Sequence, residues 1–140
     1  MTQRYSDANR LLLITAAALI DDEQRVLVQL RPEGRPMAGL WEFPGGKVEP
    51  GETPVSALVR ELCEELDIGV AVDALEALTF ASEPLGDRDL LLLLFVCRHW
   101  TGDPKPLVAS DLRWCRMDEL RTLEMPPADI PLVERLSRLL

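Results

Sequence analysis

The sequence predicts an α/β fold of the α+β kind, a sandwich of strands and helices around one core. Three observations predict it. An amphipathic helix, residues 54–66, stands in the middle of the chain. Short apolar, strand-like segments lie on both sides of it. A double proline, Pro126-Pro127, precedes a second helical stretch near the end. With 140 residues, 47% of them hydrophobic, the chain fits one domain spanning 1–140 with a core of its own.

The elements follow in order. Residues 11–20, nearly all apolar, read as a strand, and 21–24 as a polar turn. Residues 26–30 read as the returning strand of a hairpin. Residues 31–39 hold two prolines and two glycines and read as a loop. The apolar stretch 41–43 runs into Pro44-Gly45-Gly46. Thr53 suits the helix N-cap and Pro54 its first position. At about 100° per residue, Val55, Leu58, Val59, Leu62 and Leu66 share one face. Residues 70–72, 75–81, 90–97 and 112–115 read as strands, with a loop at Pro104 and Pro106, and 130–140 as the last helix.

Net charge −9 and a pI near 4.6 argue against binding nucleic-acid polymers or anionic membranes. A small anionic ligand is compatible with that charge if a divalent cation reverses the local field. Cys63, Cys97 and Cys115 form no C-x-x-C pair and read as three buried free thiols in a reducing compartment. The N-terminus lacks the apolar core of a signal peptide, and no apolar run is long enough to span a bilayer. A cytoplasmic protein, monomer or homodimer, is expected. With His99 the lone histidine, no His-based metal site or triad can be built.

The polar face of the 54–66 helix presents Arg60, Glu61, Glu64 and Glu65. The three glutamates fall within an arc of about 100°, so Glu61 neighbours both others. Arg60 can pair with Glu64 but cannot neutralise all three. A solvated acidic face is the plain reading of such a pattern. A hard divalent cation is the chemical one, because Mg²⁺ takes carboxylate oxygens. The segment in front favours the second: Gly45-Gly46-Lys47 allows close backbone approach and adds a positive charge, and Gly51-Glu52 precedes the cap.

The segment Gly46–Ile68, GKVEPGETPVSALVRELCEELDI, resembles the Nudix box, G-x5-E-x7-R-E-U-x-E-E-x-G-U, where U is bulky and apolar. Gly46, Glu52, Arg60, Glu61, Leu62, Glu64, Glu65 and Ile68 fall in place. At about 7% per specified residue, chance gives such a match in about one chain in a million. Leu40–Lys47 (LWEFPGGK) and Pro126–Pro131 (PPADIP) extend the resemblance to MutT-type nucleotide pyrophosphohydrolases over nearly the whole chain. The resemblance implies a Nudix α/β/α sandwich with a mixed sheet. It implies Mg²⁺ or Mn²⁺ held by Glu61, Glu64, Glu65 and the Gly45 carbonyl, with Arg60 orienting the glutamates and Glu52 supporting them. It also implies hydrolysis of a nucleoside triphosphate to the monophosphate and pyrophosphate, with Glu61 the first choice of base; the helix alone does not separate Glu61 from Glu64 or Glu65.

Two positions depart from the pattern. Asp67 replaces the glycine that follows the helix, a small expected stability cost. Val108 stands where an acid is frequent, which implies a missing ligand or base; Asp111 is the nearest substitute. For the base, Phe43 reads either as a core aromatic or as a stacking surface. Asp129 reads either as the cap of the last helix or as a base-reading acceptor, where 8-oxoguanine-specific enzymes have Asn. Arg31 and Arg88 are the candidate phosphate contacts, against the plainer reading as exposed surface arginines. Trp41, Trp100 and Trp114 read as packing residues. Removal of oxidised nucleotides, chiefly 8-oxo-dGTP, is the leading expectation. A CTP or dCTP pyrophosphohydrolase is the second, and a Nudix-like domain that binds nucleotides without cleaving them the third.

Overall fold

The computed structural model describes residues 10–140. Its elements are β1 (Leu11–Leu19), β2 (Val26–Leu30), β3 (Trp41–Glu42), β4 (Gly45–Lys47), α1 (Pro54–Leu66), β5 (Leu75–Leu85), β6 (Arg88–Cys97), β7 (Asp111–Cys115), α2 (Met117–Leu120) and α3 (Asp129–Ser137). A mixed four-stranded sheet runs β4-β1-β6-β5, with β1 and β6 parallel and the other pairs antiparallel. A second, antiparallel sheet runs β3-β2-β7.

β1 organises the core because its residues are apolar on both faces. Ala17 and Leu19 pack with Leu58, Leu62 and Leu66 of α1. Ala16 and Ala18 pack with Leu132, Val133 and Leu136 of α3. Period-two alternation along one strand thus serves two helix layers, which is the expected α/β/α sandwich. Among the described residues no helix is long and apolar enough to cross a membrane.

Several expectations need correction. β1 and β2 do not form a hairpin: between them stands just the isolated Ile20–Val26 bridge, and they lie in different sheets. β6 pairs along the whole of one edge of β1 and β4 takes the other edge over Ile14–Ala16, while β2 pairs with β3 and β7. Residues 70–72 are not a strand. Gly69 bridges Thr101 and a 3₁₀ turn follows at Val72–Ala74. β5 runs past residue 81 to Leu85. It tolerates Pro84 because it is the sheet's edge strand, where a missing N–H costs no ladder bond. The last helix begins at Asp129 and ends at Ser137. Cys97 and Cys115 are buried, but Cys63 is exposed, because it lies on α1 away from the Leu58–Leu62–Leu66 stripe. Trp100 stacks on Trp114 with ring centroids 6.0 Å apart, in keeping with a packing role.

Candidate active site

α1 is fixed at both ends. Thr53 Oγ1 accepts from the Ser56 N–H at 3.1 Å and the Thr53 N–H donates to Ser56 Oγ at 3.0 Å, a reciprocal cap. At the C-terminus Asp67 adopts the left-handed conformation (φ 58°) that glycine fills more cheaply, and its N–H donates to the Cys63 carbonyl at 3.1 Å. The departure from the box pattern at Asp67 leaves the cap geometry in place.

β4 lies so close to its neighbours that side chains at 45 and 46 have no room. A Cβ on Gly45 would overlap the Thr15 carbonyl of β1, and one on Gly46 would overlap the Glu61 carboxylate. The two glycines therefore set how near the Glu61 side chain stands to the β4 backbone.

Arg60 organises the acids. Its Nε and Nη2 grip Glu52 at 2.7 and 2.8 Å, a two-pronged pair. Its Nη1 donates to Glu61 Oε1 at 2.9 Å and to Glu64 Oε2 at 3.2 Å, and Nη2 also reaches the Lys47 carbonyl at 3.1 Å. The Arg60 fork holds the Glu52 carboxyl at about 2. Burial pushes the Glu61 carboxyl up, with Arg60 opposing. Burial, helped by the Glu61 charge, pushes Glu65 up to about 7, while the Gln29 amide opposes.

These groups open onto a cavity of about 680 Å³, a size suited to a small ligand. Gly45, Gly46, Lys47, Glu61, Glu65, Arg31, Phe43 and Asp129 all line it. Arg88, at the start of β6, does not, although its cross-strand partner Leu85 in β5 does. Glu52 sits behind Arg60, and Glu64 lies outside with its side chain 58% exposed. Val108 is exposed, and Asp111 spends one carboxylate oxygen on the Leu112 N–H, so neither brings an acid to the cavity.

Phe43 is buried in the α3-side core and also touches the cavity, so both of its readings meet in one side chain. Asp129 does not cap α3. It is the helix's first residue, 5% exposed, and its Oδ2 accepts the Phe43 N–H at 3.2 Å. Burial pushes its carboxyl up to about 7, against that hydrogen bond. With the unfolded carboxyl near 3.8, the native state keeps a proton that the unfolded chain releases. Stability therefore falls as pH rises from about 4 to about 7 and stays lower above it. Asp129→Asn is expected to remove this share of the slope, raising Tm more at about pH 8 than at about pH 5. Equal changes in a thermal melt at both pH values would show that Asp129 does not titrate there.

Sequence reasoning misses Gln29, Arg35 and Glu42. Arg31 is held by Glu42 at 2.8 Å and by the Pro36 carbonyl at 2.8 Å, so it is not a free surface arginine. The signals are present in the chain: a polar residue inside the apolar strand VLVQL, and an acid between Trp41 and Phe43.

Among the described residues, no three His, Cys, Asp or Glu side chains stand close enough to hold a metal ion. The donor chemistry nonetheless fits a hard cation. Arg60 Nη1 already sits as one positive group between Glu61 and Glu64. The cavity wall also carries six acids, Glu42, Glu49, Glu61, Glu65, Glu83 and Asp129, against three bases, Arg31, Arg35 and Lys47. Such a wall repels a polyphosphate unless a divalent cation intervenes.

The comparisons with known proteins agree with this architecture. The sequence matches the NUDIX domain over residues 11–136. It is 37% identical over 123 residues to the CTP pyrophosphohydrolase of Escherichia coli strain K12, covering 88% of this chain and 90% of that one. It is 30% identical over 128 residues to the 8-oxo-dGTP diphosphatase of the same strain, covering 91% and 98%. The solution structure of the E. coli ORF135 protein superposes with a TM-score of 0.82 at 34% identity, covering 93% of this chain and 91% of that one. A glutamate-lined cavity at a capped helix, the α/β/α layers and a domain match over nine-tenths of the sequence lead to one conclusion: the chain belongs to the Nudix family and is a MutT-like hydrolase.

Proposed function

We propose that the chain hydrolyses nucleoside triphosphates at the β-phosphorus, releasing the nucleoside monophosphate and pyrophosphate, with 8-oxo-dGTP the leading substrate. The observation that carries this reading is a single cavity lined both by the box glutamates Glu61 and Glu65 and by the buried Asp129. Glu61, Glu64, Glu65 and the Gly45 carbonyl would hold Mg²⁺ or Mn²⁺. The ion, when bound, offsets charge on the phosphate oxygens and acidifies a water. Arg60 keeps the glutamates in place, Glu52 keeps Arg60 in place, and Glu61 takes the proton from the attacking water. Lys47 and Arg31 pair with phosphate oxygens, and Phe43 supports the base.

A second reading, a cytosine nucleotide as substrate, is favoured by Asp129 and by the relative named CTP pyrophosphohydrolase. With its carboxyl near 7, Asp129 exists in two forms around neutrality. Ionised, it only accepts, which suits the cytosine amine; protonated, it both donates and accepts, which suits the carbonyl and N–H edge of guanine.

The test is hydrolysis of 8-oxo-dGTP, dGTP, CTP and dCTP side by side with Mg²⁺ or EDTA, scoring pyrophosphate against phosphate. EDTA is expected to abolish turnover. The kcat/KM ratio of 8-oxo-dGTP to CTP is expected to fall as pH rises through about 7, and Asp129→Asn to flatten it. A ratio that is pH-independent in both proteins removes Asp129 from base reading. Phosphate as the sole product removes attack at the β-phosphorus.

A further inference from the structure

Among the described residues, Thr15 and Gln29 are the buried polar residues that the proposed chemistry leaves unused, and Gln29 is the one hydrogen-bonded to a box glutamate. It sits in β2, 5% exposed. Its one amide nitrogen serves two acids, donating to Glu42 Oε2 at 3.2 Å and to Glu65 Oε2 at 3.4 Å. An amide nitrogen carries two hydrogens, so each carboxylate takes one. The amide oxygen is left buried without a partner. A glutamine placed only to fill space would not leave an acceptor orphaned; here the donors are satisfied at the acceptor's expense. Turning the amide over would face its oxygen to two carboxylates, so the acids fix its orientation.

The chain of contacts continues outward. Glu42 Oε1 accepts from Arg31 Nη1 at 2.8 Å, and Arg31 Nε donates to the Pro36 carbonyl at 2.8 Å. Pro36 and Met37, in the loop after β2, line the cavity. Met37 holds a left-handed backbone (φ 60°) that an unbranched apolar residue adopts only when its surroundings impose it. One continuous path therefore joins Glu65 on α1 to the loop over the cavity, through β2 and β3.

We propose that Gln29 is a positioning residue for Glu65, and that with Glu42 and Arg31 it holds this carboxylate in register with the cavity loop. This rests on the reading of Glu65 as a cation ligand. Partners of this kind, one step behind a ligand, set its orientation, and their loss typically lowers metal affinity or activity about 10–100-fold.

The test uses the full chain and Mn²⁺ alone, with no nucleotide, followed by the free-Mn²⁺ EPR signal, and then steady-state hydrolysis. Gln29→Met keeps the length and volume and removes the amide; Gln29→Asn keeps the amide and withdraws it by one methylene. Both are expected to weaken Mn²⁺ binding about tenfold and to lower kcat at saturating Mn²⁺ by a similar factor, with KM for the nucleotide within about twofold of wild type. Gln29→Glu is expected not to rescue, since it replaces the donor with a third acid. Suppose instead that Mn²⁺ affinity and kcat stay within about twofold of wild type, with only Tm altered, in whichever of the Gln29→Met and Gln29→Asn variants folds. That result would reduce Gln29 to a packing residue and overturn the proposal. A wild type that neither binds Mn²⁺ nor cleaves any nucleotide would overturn the parent reading of Glu65, and the positioning role with it.

Discussion

Glu61→Gln is expected to lower kcat by about 10²–10⁴-fold while leaving the fold intact, the range for losing a positioned general base. The substitution keeps the side-chain length and one carbonyl oxygen, so the cavity shape is preserved. It removes the charge that Arg60 Nη1 holds at 2.9 Å and the site that would take a proton. Circular dichroism and a thermal melt check the fold; single-turnover kinetics check the chemistry. A variant within about threefold of wild type would take the base role away from Glu61 and pass it to Glu65, the other box acid lining the cavity.

The two glycines of β4 are expected to fail in different ways. At Gly45 an added Cβ meets the β1 backbone at Thr15, which cannot swing aside. Gly45→Ala is therefore expected to destabilise the fold by about 1–3 kcal/mol or more, the range for overpacking, and to lower Tm. At Gly46 the added Cβ meets the free end of the Glu61 side chain, which can move. Gly46→Ala is expected to fold nearly normally and to lose about 10²-fold in kcat, because it displaces a reacting group by roughly an ångström. Normal kcat in Gly46→Ala would mean that the Glu61 carboxylate has no fixed post in the reaction. A normal Tm in Gly45→Ala would mean that β1 and β4 can part without cost.

Much of this architecture is legible along the chain because it is locally encoded. The limits of α1, its Thr53 cap and the acidic face of residues 60–65 follow from the 3.6-residue period and from cap chemistry, and both act over a few residues. β2 and most of β7 are equally plain, as short apolar runs between turn residues. The failures share one cause. Whether β1 and β2 pair depends on which edges of β1 other strands occupy, and those strands lie in segments far along the sequence. Asp129 reads as a helix cap in the sequence because Asp before a helix usually is one; its burial against the Phe43 N–H depends on β3 and α3 meeting, which no local pattern carries. Gln29, Arg35 and Glu42 escape for the same reason, since a polar residue in a strand gains meaning only from what the opposite wall presents.

The parallel pairing of β1 with β6 runs from Leu11 opposite Asp89 to Leu19 opposite Cys97. During synthesis the first strand thus leaves the ribosome well before its partner exists, and before α3 is made to cover its second face. For that interval its apolar residues have only β4 and α1 for shelter. Pairing between such distant segments is slow, and unpaired apolar strands are aggregation-prone. The nascent chain's period of greatest exposure therefore ends only when β6 and then α3 have emerged, and mutations that delay the docking of either are expected to reduce the yield of soluble protein before they reduce the activity of the molecules that fold.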